Sequence, residues 1–280
     1  MQQQAMAAKW GDLGVRSLSA AVLIPAVVLD VWAGGIWFSL LVALVGVFMA
    51  LEWTTLAHRQ DPLQFALHAG GALCGVFLPL DAGIAVMLAA IAVIWVLSAA
   101  TAWARERDGA VWRYLGVPYV SLPVAALVLL RSDPEYGLLA ILWIVVIVWA
   151  ADTLAYFAGR LIGGPKLAPV LSPKKTWAGL GGAIAGGAVA SASFAVATGL
   201  GAVAILSLLA GFLAVVGQAG DLFKSALKRH FGVKDSGSLI PGHGGIIDRV
   251  DGLVAVATAG AIIGLVRRGI TATGAGLLLW

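Results

Sequence analysis

The chain has 280 residues, 61% hydrophobic and only 11% charged, with a net charge of +4 and a mean hydropathy of +0.97. A soluble domain carries about 25% charged residues, so this composition excludes an ordinary soluble protein. Continuous apolar runs such as LLAILWIVVIVWAA at 138–151 lack the alternation of a transmembrane barrel, and basic residues beside such runs suit anionic lipid, not nucleic acid.

Runs of about 20 apolar residues mark transmembrane helices. They predict an all-α, polytopic integral membrane protein with about nine spans, over 17–32, 35–56, 64–80, 82–102, 113–131, 136–159, 178–199, 202–224 and 250–267. Lys9 and Arg16 precede the first run and no small-residue cleavage site follows it, so that run is predicted to stay in the protein. Between the runs stand AGG at 33–35, HRQDP at 58–62, RERDG at 105–109, SDPE at 132–135 and GGPKLAPVLSPKK at 163–175. The single cysteine, Cys74, lies in an apolar run and reads as a small buried hydrophobe. The Gly- and Ala-rich stretch 178–224 allows helix backbones to approach closely in lipid.

Nine spans with a cytoplasmic N-terminus place 15 of the 18 Lys and Arg residues inside, leaving only Arg131, Arg267 and Arg268 outside. That asymmetry favours this orientation. It puts two polar loops, 160–177 and 225–249, on the cytoplasmic side of a single transmembrane domain covering 1–280. The apolar tail from 268 to 280 is left without a place.

Nine of the 32 charged residues fall within 221–251. Asp221, Lys224, Ser225 and Lys228 are spaced to form one helical stripe. An acidic residue at the end of a span marks a functional site unless it merely pairs with Lys224 and snorkels. In GHGGIIDRVDG (242–252) the glycines permit close backbone approach, and N–H groups opening a helix can cradle phosphate. Asp248 and Asp251, three apart around Arg249, can face one hard cation, or Asp248 can simply complement the helix dipole. Upstream, Asp152, Tyr156 and Arg160 are four apart on one helix face. Lys166 and the run Ser172, Lys174, Lys175, Thr176 follow before the next span. Lysines and hydroxyls there suit phosphate oxygens; the lysines also suit a topology-setting role. Carboxylates for a divalent metal and cations for phosphate, on one face, are what phosphoryl or nucleotidyl transfer needs.

The segment resembles the phosphatidate cytidylyltransferase (CDP-diacylglycerol synthase) family. The resemblance rests on Ser225, Lys228-Arg229, Lys234-Asp235, His243-Gly244-Gly245 and Asp248-Arg249-Val250-Asp251, with no departure across the stretch. ADTLAYFAGR (151–160) and SPKKTW (172–177) are similar to family motifs too. The resemblance implies an all-helical fold and transfer of the cytidylyl group of CTP to phosphatidic acid. It implies Asp221 and Asp248 as ligands of Mg²⁺, a neighbouring K⁺, and a homodimer in the bacterial inner (cytoplasmic) membrane, its active site facing the cytoplasm. Asp221, Ser225, Lys228, Arg229, His243 and Asp248 then form the catalytic centre. Asp152, Arg160, Ser172, Lys174, Lys175 and Thr176 would contact substrates, as would Lys234, Gly244, Gly245, Arg249 and Asp251. Ser225 reads as a phosphate or metal contact, because a covalent serine would want a positioned base. A CTP-dependent lipid kinase of the dolichol-kinase type and an ion-coupled transporter stand as the alternatives.

Overall fold

A computed structural model describes residues 21, 25–105, 111–237 and 244–280. Residues 17–20 and 22–24 of the first predicted span lie outside the described residues; 25–33 are helical. Then follow α1 (Gly35–Ala57), α2 (Pro62–Asp81), α3 (Ile84–Arg105), the short α4 (Val111–Tyr114), α5 (Gly116–Arg131) and α6 (Gly137–Leu161). A hairpin of β1 (Lys166–Ala168) and β2 (Ser172–Thr176) leads into α7 (Trp177–Thr198), α8 (Val203–His230) and α9 (Ile247–Arg268). A 3₁₀ turn and α10 (Thr273–Leu278) close the chain. Among the described residues, eight helical stretches are long and apolar enough to cross a membrane, α4 and α5 together making one. The protein is an all-α integral membrane protein.

Local chemistry explains the breaks. The first helical segment ends at Gly34, whose positive φ of 64° suits glycine. The Arg131 guanidinium packs there, donating to the carbonyls of Val31 at 2.7 Å and Trp32 at 3.0 Å. Asp61 caps α2 by accepting from Leu63 N–H at 2.8 Å, with Pro62 at the first helical position. It also pairs with Arg105 at the end of α3, 2.8 Å away.

The core joins α1, α2, α5, α6, α8 and α9, with Trp53 and Trp143 fully enclosed. Cys74 is a partly buried, free thiol packed beside Met87 and Ile91. Helices α6 and α7 touch backbone to backbone: a Cβ on Gly182 would stand 2.6 Å from the Leu154 carbonyl, and one on Gly186 2.7 Å from that of Ala150. Small residues allow this approach where lipid supplies no hydrophobic drive. Trp143 locks the pair by donating to Ser191 Oγ at 2.9 Å.

Two features differ from the sequence expectation. Loop 160–177 contains an antiparallel hairpin, pairing Lys166 with Thr176 and Ala168 with Ser172. The tail folds back: Leu277 and Leu278 are buried, Ala275 N–H donates to Asp133 at 2.8 Å, and Arg267 covers the Trp280 ring at 3.6 Å. Residues 273–278 of the tail are thus buried, whereas Trp280 stays exposed.

Helix α8 sets up the site. Its 28 residues extend about 42 Å at 1.5 Å each, against a hydrocarbon layer of about 30 Å. A span beginning at Val203 therefore leaves the apolar layer near Asp221, and the predicted polar stripe continues as helix to His230.

Candidate active site

Residues from four elements meet around the last turns of α8. Lys175, from β2, places Nζ 2.6 Å from Asp221 and 2.9 Å from Gln218 Oε1. Gln218 in turn donates to Asp152 of α6 at 3.2 Å. Lys224 lies between three carboxylates: Asp251 at 2.5 Å, Asp221 at 3.0 Å and Asp248 at 3.7 Å. Lys228 pairs with Asp248 at 2.5 Å. Asp248 also accepts from the N–H of Ser236 at 2.8 Å and from its hydroxyl at 3.0 Å. All of these lysine side chains are largely withdrawn from solvent. Buried charge needs such pairing, since removing one partner leaves the other uncompensated.

A cavity of about 740 Å³ opens on one side of this network. Asp152, Tyr156 and Arg160 line it from α6, as the four-residue spacing predicts; Ser172, Lys174, Lys175 and Thr176 line it from β2, and Gln218 and Asp221 from α8. Lys174 is exposed there. Arg160 donates to the Tyr156 hydroxyl at 2.8 Å. The Thr176 hydroxyl accepts from Gly179 N–H at 3.0 Å and so caps α7 while lining the cavity.

On the other side, α5, α8 and α9 enclose an apolar groove of about 480 Å³, lined by Leu115, Leu122, Phe223, Val254 and Ile262 among others, with Asp251 at its wall. Tyr119 also lines it, stacked on Phe223 with ring centroids 5.4 Å apart. Its hydroxyl is buried and has no hydrogen-bond partner among the described residues. The polar cavity and the apolar groove thus meet at one ion network, through Asp221, Lys224 and Asp251.

The remaining predicted residues divide. Ser225 is half-buried on α8; Arg229, Lys234 and Arg249 are exposed. Gly245 is buried against Glu52 and Ser236, and Gly244 adopts a positive φ of 82°. His243 lies outside the described residues. Sequence reasoning missed Glu52, Gln218, Tyr119 and Ser236. Glu52 had an available signal, as the one charged residue in α1, because an ionisable group inside a span is rarely incidental.

Among the described residues no group of three or more His, Cys, Asp or Glu side chains is placed so that it could hold a metal ion. The carboxylates of Asp221, Asp248 and Asp251 converge instead on one cation, the Lys224 ammonium. The chemistry of this all-oxygen donor set, though not its present spacing, is of the kind that suits Mg²⁺.

The model of the cytidylyltransferase family matches residues 14–266. The chain belongs to the cytidylyltransferase family. It is 40% identical over 251 residues to a phosphatidate cytidylyltransferase of Brucella abortus (biovar 1, strain 9-941), covering 88% of this chain and 91% of the relative. A protein of that name from Staphylococcus epidermidis (strain ATCC 35984) is 34% identical over 253 residues, 86% of this chain and 95% of its own length. One from Bacillus subtilis (strain 168) is 42% identical over 143 residues, 51% of this chain and 53% of its own.

Proposed function

We propose that this cytidylyltransferase-family protein transfers the cytidylyl group of CTP to phosphatidic acid, giving CDP-diacylglycerol and pyrophosphate. The observation that carries the reading is the meeting of a polar cavity and an apolar groove at Asp221, Lys224 and Asp251. A nucleotide and a lipid phosphate need such a junction. CTP occupies the polar cavity, where Arg160 and Lys174 face its phosphates. The lipid chains lie in the groove, where the Tyr119 hydroxyl gains a partner on the lipid's polar part.

An oxygen of the lipid phosphate attacks the α-phosphorus of CTP. The bond from that phosphorus to the bridging α–β oxygen breaks, and pyrophosphate leaves with the electron pair. The attacking phosphate is already an anion near neutral pH, so no strong base is required. The side chains contribute alignment and charge neutralisation. Mg²⁺, held by Asp221 and Asp248, would neutralise phosphate charge, with K⁺ as the second cation. Lys224 bridges these two carboxylates, and Lys175 pairs with Asp221.

The same reading has nine spans, a cytoplasmic N-terminus, and a homodimer in the bacterial cytoplasmic membrane. The support is the basic asymmetry: the ends carrying Arg59, Arg105, Arg160 and the lysines of the site belong to one face, whereas Arg131, Arg267 and Arg268 belong to the other.

Labelled CTP tests the reaction. With purified protein, Mg²⁺ and phosphatidic acid, α-phosphorus label is expected in the lipid and γ-label in pyrophosphate. Lipid carrying the γ-label would instead identify a CTP-dependent lipid kinase and reject this reading.

A further inference from the structure

The start of α9 offers two backbone N–H groups, those of Ile246 and Ile247, where an anion is favoured. A substrate phosphate does not occupy them. Glu52 of α1, 2% exposed, does. Its Oε1 accepts from Ile246 N–H at 2.6 Å; its Oε2 accepts from Ile247 N–H at 2.9 Å and lies 3.0 Å from the Ser236 hydroxyl. The backbone on both sides of loop 236–246 is fitted to this carboxylate. A Cβ on Gly237 would stand 2.9 Å from Oε1, and one on Gly245 2.7 Å from Oε2. Ser236 then carries the connection onward: its hydroxyl lies equally close to Asp248, at 3.0 Å, and its N–H donates to the same oxygen at 2.8 Å.

We infer that Glu52 is a positioning residue that fixes Asp248 through Ser236 and ties the start of α9 to α1. It acts through Ser236 and not on substrate or metal. Its effect on turnover rests on the cytidylyl-transfer reading of Asp248; its hold on the start of α9 does not. A carboxylate that only capped α9 would add stability and nothing else. The two roles separate at Ser236, which can lose its hydroxyl while both amide bonds to Glu52 remain.

Hydrogen–deuterium exchange and steady-state kinetics on the full-length protein in nanodiscs test this. In Ser236→Ala, exchange at Ile246 and Ile247 and the thermal midpoint are expected to stay at wild-type values. Its kcat is expected to fall roughly 10-fold to 100-fold, the usual effect of losing a partner that orients a ligand residue, with KM for CTP within about twofold. In Glu52→Gln one acceptor becomes a donor facing an N–H group. Exchange is expected to rise at Ile246 or Ile247 and also at Ser236, because the linkage is broken at its source. Normal kcat in Ser236→Ala, with Glu52→Gln losing activity only in proportion to lost folded protein, would reduce Glu52 to a cap. Wild-type exchange at Ser236 in Glu52→Gln would overturn the linkage by itself. If the wild-type protein makes no CDP-lipid, the proposed reaction fails, and exchange at Ser236 still decides the role of Glu52.

Discussion

Asp248→Asn and Asp221→Asn are each expected to lower kcat by about 10²-fold or more, the size of effect seen when a charge-stabilising group is removed from an active site. The Asp248 carboxylate accepts from Lys228 and twice from Ser236. Asparagine puts an NH₂ donor against one of those donors and removes the charge that offsets Lys228. At Asp221 the same change leaves Lys175 and Lys224 facing a neutral amide. Both variants still fill their sites sterically but leave a buried lysine less compensated, so the folded fraction is expected to fall somewhat and turnover is counted per folded molecule. The measurement is kcat per folded protein at saturating CTP and Mg²⁺, with Asp81→Asn, at the far end of α2, as the control that keeps full activity. Turnover within tenfold of wild type in either variant would remove that aspartate from the reacting centre.

Gly116→Ala is expected to be among the most destabilising single-methyl changes in the protein. Gly116 opens α5, and a Cβ there would collide with His68 Nε2 and Trp53 Nε1. Neither ring can retreat. His68 is fully buried and its Nδ1 bonds the Gln64 carbonyl at 2.7 Å. Trp53 is fully buried against Tyr119, ring centroids 4.8 Å apart. Overpacking of this kind costs about 1–3 kcal/mol, occasionally more. The displacement also has a path to the site, since Tyr119 stacks on Phe223, the residue before Lys224. A clear fall in the thermal midpoint should therefore accompany a drop in activity per folded molecule. An unchanged midpoint would mean that the rings move freely and the packing argument is wrong.

The spans were legible in the sequence because a run of apolar residues long enough to cross lipid is a strong and local signal. Seven of the eight described spanning helices start and end within three residues of the predicted bounds; the end of α8 lies six residues beyond its predicted place. There the chain turned polar at Asp221 while the helix ran on to His230, because polar residues beyond the hydrocarbon layer keep their helical hydrogen bonds. The stripe of Asp221, Lys224 and Lys228 and the four-residue spacing of Asp152, Tyr156 and Arg160 were readable for the same reason: helical periodicity places neighbours without any tertiary knowledge. Glu52 was not readable as a partner of the Gly-rich loop. Its bonds to Ser236, Ile246 and Ile247 join residues 184 to 195 positions apart, and no local pattern announces such a pairing. Gln218 and Tyr119 were missed likewise, each ordinary in its own helix and significant only through the side chain opposite. Gly242, Gly244 and Gly245 were read as allowing close approach of a phosphate; what no local pattern announced is that Gly245, and Gly237 before that run, pack against Glu52.

The distance along the chain between Glu52 and its amide partners has a consequence for how the protein is made. At about 5–20 residues per second of synthesis, Ile246 follows Glu52 out of the ribosome after roughly 10–40 s. Throughout that interval α1 carries an acidic group whose amide donors do not yet exist. Such a group inside a span costs about 3 kcal/mol at mid-bilayer and less towards the end. Helix α1 is thus provisional in the membrane until α9 arrives, and a helix made late is the one that makes an early one secure. Nascent chains stopped short of residue 246 should leave α1 open to the membrane's quality-control proteases, whereas chains extended past α9 should protect it; equal survival of the two would show that Glu52 finds another partner on the way.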